Sequence, residues 1–186
     1  TRAPVHRVPP TEKGRKLWTK GDRDNALALF RKALSIQEAV LGIYDRQTAR
    51  TYYWVGFALS HRKEYDKALV AYRRTLRIRL FLLGDEDVST EDVKRALRDV
   101  LKKKGFNKDK IQAYLDGITT SVRHEKLGGR YERKGRHNEA LEEYEKCLEV
   151  EKKAMGAFPL DFGRIYAKIG SVYKMQGEDD MSLSAY

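Results

Sequence analysis

Apolar side chains recur at helical spacing along almost the whole chain: Leu27, Phe30 and Leu34; Leu69, Tyr72 and Leu76; Leu141, Tyr144 and Leu148. Each set falls on one face of a helix, and no segment carries the sustained alternation of a half-buried strand. Three of the four prolines are Pro4, Pro9 and Pro10 and the fourth is Pro159, so everything from Thr11 to Phe158 is free of proline. A run of uninterrupted helices requires this. The opening TRAPVHRVPP reads as an extended lead-in over residues 1–10, and the expected fold class is all-α.

A longer regularity appears when the helical segments are laid over one another. DNALALFRKAL, DKALVAYRRTL and NEALEEYEKCL share one pattern anchored on Ala26, Ala68 and Ala140. A glycine lies twelve residues before each anchor (Gly14, Gly56, Gly128) and another sixteen residues after it (Gly42, Gly84, Gly156). The anchors are spaced by 42, then 72, then 42 residues where Ser182 stands in a fourth copy opened by Gly170. Each copy reads as two antiparallel helices. The first carries a small residue where a neighbour comes close. A turn follows at Gly21, Gly135 and Gly177, with Lys63 in its place in the second copy. The second helix presents the anchor and, one turn on, an aromatic: Phe30, Tyr72, Tyr144 or Tyr186. A single pair cannot cover its own apolar face, so pairs must stack.

Leu127-Gly128, Tyr131, Gly135, Ala140 and Tyr144, and again Ile169-Gly170, Tyr173, Gly177 and Tyr186, resemble the tetratricopeptide repeat. The 42-residue period, with a long second helix ending in Leu41-Gly42 or Leu83-Gly84, is similar to the kinesin-light-chain variety. The resemblance implies a right-handed α-α superhelix, a single array over 11–186. Its pairs are expected at about 11–42, 46–84, a degenerate 88–118, 119–156 and a truncated 159–186. In the 72-residue gap, Ser89 or Thr90 is the expected helix start and Gly105 its stop. A break at Gly117 and Thr119–Ser121 would separate two further helices, although one long helix through them is the other reading.

Composition narrows the function. The net charge is +11, from 38 Lys+Arg against 27 Asp+Glu, and residues 1–110 hold all of the excess. Solvated helix faces with i,i+4 pairs explain many of these charges, and a basic surface for an acidic partner explains others. The single Cys147 excludes a disulfide framework and a cysteine-based zinc cage, and sits where the repeat wants a small buried residue. An intracellular, cytoplasmic setting is expected. His6, His61, His124 and His137 are scattered and expected to be exposed, and the run Glu142, Glu143, Glu145, Glu149, Glu151 reads as a solvated face. No nucleophile–base constellation, metal site or cofactor motif appears, so no enzyme is expected.

What remains is the inner wall formed by the first helices. The groove positions of the repeat place Arg15, Trp18, Arg50, Tyr53, Trp54 and Phe57 there, then Glu125, Gly129 and Glu132, and finally Arg164, Ser171 and Lys174. The resemblance implies a non-catalytic scaffold or adaptor that grips a partner segment carrying acidic or aromatic groups, or a subunit of a larger assembly. The competing role for the rings is cementing adjacent repeats. The family's groove asparagine is absent, its place held by Glu12, Trp54, Lys126 and Lys168, and no chaperone-type carboxylate clamp is present. The alternative function is nucleic-acid binding by the basic residues 1–110, through a basic flank of Arg73, Arg74, Arg77, Lys102, Lys103 and Lys104 together with Arg79, Lys108 and Lys110.

Overall fold

A computed structural model describes residues 10–155 and 162–177. The described residues form eight helices and no strand. The chain divides into two compact units, residues 1–105 and 106–186. The expected lead-in up to Pro9, together with His6, Gly156, Pro159, Ser182 and Tyr186, lies outside the described residues.

The first unit contains α1 (Pro10–Thr19), α2 (Arg23–Val40), α3 (Arg46–His61), α4 (Tyr65–Leu82) and α5 (Val88–Lys103). Pro10 opens α1 rather than closing the lead-in, at a position where a missing N–H costs nothing. Each helix packs on the next, and α5 also touches α3. The core follows the repeat. A β-carbon on Gly14 would meet the Phe30 ring at 2.6 Å, and one on Gly56 the Tyr72 ring at 2.9 Å. The small residue thus exists to admit the aromatic sixteen positions later.

The helix starts also repeat. Asp45 caps α3 by accepting from the N–H groups of Gln47 (2.7 Å) and Thr48 (3.3 Å). Forty-two residues on, Asp87 caps α5 by accepting from the Ser89 N–H at 2.9 Å and from its hydroxyl. The cap is therefore Asp87, not Ser89 or Thr90: Ser89 is a donor to it, and Thr90 is buried with its hydroxyl donating to the Gly84 carbonyl at 3.0 Å. Thr48 donates to Gly42 in the same way at 3.0 Å. Between the turns, Arg62 pairs with Asp24 at 2.7 Å and Lys104 with Asp66.

The second unit contains α6 (Lys108–Arg133), α7 (His137–Met155) and α8 (Gly163–Gln176). The break expected near 117–121 does not occur; α6 runs unbroken for 26 residues. Gly117 is tolerated inside it because α7 crosses there, and a β-carbon would lie 2.1 Å from that of Ala154. Gly128 again lies under a ring, that of Tyr144. Ile165, Ile169 and Val172 of α8 pack with Tyr144, Cys147 and Leu148, so Cys147 is the core thiol expected. Gln176 bonds Asn138 at 3.0 Å, repeating the turn-to-turn tie of the first unit.

Candidate partner-binding site

One face of α3 is turned to the core through Thr48, Ala49, Tyr52, Val55, Gly56 and Leu59. The opposite stripe carries Arg50, Tyr53, Trp54, Phe57 and His61, at intervals that keep them on one side of the helix. The rings of Tyr53, Trp54 and Phe57 are half-buried rather than free, and His61 is exposed. Trp54 stacks on Phe30 of α2, with centroids 5.8 Å apart and planes inclined by 23°. Tyr53 meets Tyr72 at 5.6 Å. Phe57 lies edge-on to Trp54 at 5.4 Å and to Trp18 of α1 at 5.3 Å, and His61 touches Phe57 at 4.5 Å. Part of each ring therefore cements the first two pairs, and part of each of these rings remains in contact with solvent.

Cations lie over these rings. The Arg15 guanidinium sits 5.0 Å from the Trp54 centroid, that of Arg23 5.5 Å from Trp18, and that of Arg79 5.4 Å from Tyr53. Such contacts hold a guanidinium in place while leaving its N–H donors available. A cavity of about 250 Å³ is bounded by Trp18, Trp54, Arg15, Lys16, Thr19 and Glu12. A larger one, about 540 Å³, opens where α3, α4 and α5 meet. Arg46, Arg50 and Arg79 line it opposite Asp87 and Asp92, with Ser89 and the aliphatic Ala49, Leu82, Leu83 and Val88. Burial pushes the Tyr53 hydroxyl up, reinforced by Asp92, and burial lowers Arg79, which donates to the Ser89 carbonyl.

Sequence reasoning missed Asp92 and Val88, and placed Arg79 among the phosphate-contacting cations rather than beside Arg50. The signal was present, since Asp92 stands 42 residues after Arg50 in the repeat register.

The cations of the expected basic flank are placed differently from one another, and Lys108 and Lys110 are exposed. Arg73 and Arg77 are buried, because the face of α4 on which they lie is covered. Arg74 lies at 2.6 Å from the Tyr52 hydroxyl, which donates to Glu38, and Lys104 is held by Asp66; Lys102 and Lys103 are exposed. In the second unit, His124 is not exposed but half-buried, 2.7 Å from Glu143. Glu143 and Glu151 are buried, which corrects the solvated-face reading for those two; Glu142, Glu145 and Glu149 are exposed. Burial alone would raise the Glu143 carboxyl, but bonds from His124 and Lys146 hold it below the usual range. Arg164 turns to Glu125 and Glu151, and Lys174 is exposed on α8. Among the described residues no group of three His, Cys, Asp or Glu is placed to hold a metal ion, and no helix is long and apolar enough to cross a membrane.

Two models of the tetratricopeptide repeat match the chain, one over residues 14–97 and one over residues 126–153. No curated protein sequence matches. Among solved structures, BtubC (BKLC) from P. vanneervenii is 14% identical with a TM-score of 0.42, covering 98% of this chain and 63% of that one. The chain thus spans less than two thirds of that protein's length. A P. anserina kinesin light chain with nearly identical TPR-like repeats is 14% identical, with a TM-score of 0.49 and coverage of 95% and 89%. MamA is 21% identical, with a TM-score of 0.32 and coverage of 95% and 85%. The glycine-under-aromatic pairs, the helix pairs they join and the two model matches, which together span more than half the residues, make this chain a member of the tetratricopeptide-repeat family.

Proposed function

We propose that the chain is a protein-interaction scaffold that carries out no catalysis of its own. It holds a partner segment bearing acidic and aromatic side chains against α1 and α3 of the first unit, alone or as a subunit of a larger assembly. One observation carries this reading: Trp18, Tyr53, Trp54 and Phe57 form a half-exposed stripe with Arg15 and Arg50 beside it. Rigid aromatic surface plus forked cations is the composition that concentrates binding energy at interfaces. A reducing, cytoplasmic setting fits the lone buried thiol of Cys147.

The nucleic-acid reading has less support. Of its nine cations, Arg73 and Arg77 are buried, while Arg74, Arg79 and Lys104 are engaged by neighbours. Phosphate contacts need cations that can reach outward.

The test uses a fluorescein-labelled peptide with a tryptophan flanked by Asp and Glu, titrated by anisotropy. Arg50→Glu combined with Phe57→Ala should weaken binding by about tenfold or more, and Arg50→Glu alone covers any folding defect from losing Phe57. Undiminished binding by both variants, or tighter binding of an RNA oligomer than of the peptide, would remove the stripe from consideration.

A further inference from the structure

The second unit repeats the first with a shift of 72 residues: Gly128, Ala140 and Tyr144 stand on Gly56, Ala68 and Tyr72. Under the same shift Glu125, Glu151 and Arg164 stand on Tyr53, Arg79 and Asp92, so the charges of the junction are reversed. In the first unit the cation is on the second helix of the pair, the acid is on the helix that follows, and the junction opens into the larger cavity. In the second unit the acid is on α7 and the cation on α8. A further acid from α6 fills the place of Tyr53.

The geometry closes around Arg164. Its Nη1 lies 2.5 Å from Glu125 Oε2 and its Nη2 3.1 Å from Glu151 Oε1. Ser121 donates to the same Glu151 oxygen at 2.6 Å, with the Cys147 thiol 3.5 Å from the Ser121 hydroxyl. Glu125 and Glu151 are 1% and 3% exposed. One guanidinium fork is thus shared between two carboxylates already stripped of water. An acid arriving from outside would have to shed its own hydration and displace a group that pays no association cost.

We propose that Glu125 and Glu151 act as built-in carboxylate ligands that withhold Arg164 from a partner. Recognition of a partner's acid therefore falls on the first unit, where the exposed Arg50 shares a cavity with Asp87 and Asp92 but forms no ion pair with a carboxylate among the described residues. Arg164 occupies a groove position of the repeat, yet its partner is the chain itself. This rests on the scaffold reading above and adds what decides where along the chain acids are read.

Two measurements test it on the full chain. The first needs no partner: arginine-specific labelling with phenylglyoxal, followed by peptide mass spectrometry. Arg164 should label about tenfold or more slowly than Arg50 in the native protein, and Glu125→Gln should speed Arg164 alone. Equal rates at the two arginines would overturn the proposal. The second is calorimetric stoichiometry with the acidic tryptophan peptide. Glu125→Gln with Glu151→Gln should bind one more peptide than the wild type, and adding Arg164→Met should abolish that extra site. No gain in the double variant, or a gain that survives Arg164→Met, would overturn it. If the wild type binds no peptide, the scaffold reading fails; the extra site and the labelling still decide this one.

Discussion

A methyl group on Gly56 would lie 2.9 Å from the Tyr72 ring, inside any real carbon contact, although alanine is the better helix former. The two effects oppose each other. Helix propensity favours Gly56→Ala by about 1 kcal/mol, whereas overpacking a filled core costs roughly 1–3 kcal/mol. Packing should win, since the ring is fully buried and has nowhere to retreat. Gly129→Ala is the control: its β-carbon would meet the Tyr144 hydroxyl at 3.6 Å and Arg133 Nη1 at 4.0 Å, both ordinary contacts. Urea unfolding should show the first variant less stable and the second more stable than the wild type. A gain for Gly56→Ala would mean that the glycine is not there for the ring. Lys63 is the complementary case. It adopts φ 61° at the turn where other copies use Gly21, Gly135 and Gly177. A side chain in that conformation costs about 1–2 kcal/mol that glycine avoids, and glycine's extra freedom in the unfolded chain returns about 0.4–1 kcal/mol of that. Lys63→Gly should therefore raise stability slightly, read as a higher urea midpoint at unchanged slope.

Elements were legible where one residue type has a single physical job. Ring, glycine and alanine markers located the helix pairs because each fixes how closely two helices approach. The reading failed where a residue's effect depends on what crosses it. Gly117 resembles a breaker in isolation but sits in α6 against Ala154, so the helix continues. Arg73, Arg77, Glu143 and Glu151 look like surface charges by type, and only the packing of neighbouring helices reveals them as buried. In the candidate site, the α3 stripe was legible through the groove positions that the resemblance implies, whereas the pairing of Arg164 with Glu125 and Glu151 needed coordinates. Tyr52 shows how elements are tied by one polar group. From α3 its hydroxyl reaches Glu38 on α2 and Arg74 on α4. Burial, then the bond to Glu38, pushes its ionisation from an ordinary 10.0 up to about 12. The phenol is thus held protonated in the folded state more strongly than in the unfolded one. Its contribution is fully present below pH 10 and is lost as pH rises from 10 through about 12. Unfolding free energy measured across that range should fall, and Tyr52→Phe should flatten the fall. An unchanged slope in the variant would assign the alkaline loss to other groups.

The charge of the whole molecule is partitioned along the same line as its fold. Residues 1–105 hold 24 Lys+Arg against 13 Asp+Glu, while residues 106–186 hold 14 of each. The net +11 therefore belongs to the first unit, which also carries the aromatic stripe. An acidic partner is steered by the summed field before any contact forms, and that field is screened over about 8 Å at physiological salt. The association rate of an acidic peptide should thus fall about tenfold or more between low and high salt, with dissociation changing less. The location of the charge makes a sharper claim. Arg50→Glu removes a cation within the field and beside the stripe, so it should slow association, lower affinity and flatten the dependence on salt. Lys174→Glu makes the same formal change on α8, in the electrically balanced unit with Arg164 already spoken for, and should leave both rate and affinity near the wild type. Stopped-flow traces of the two variants at matched ionic strength separate the cases. If Lys174→Glu slowed binding as much as Arg50→Glu, net charge alone would govern the encounter and neither unit would be favoured as the docking surface.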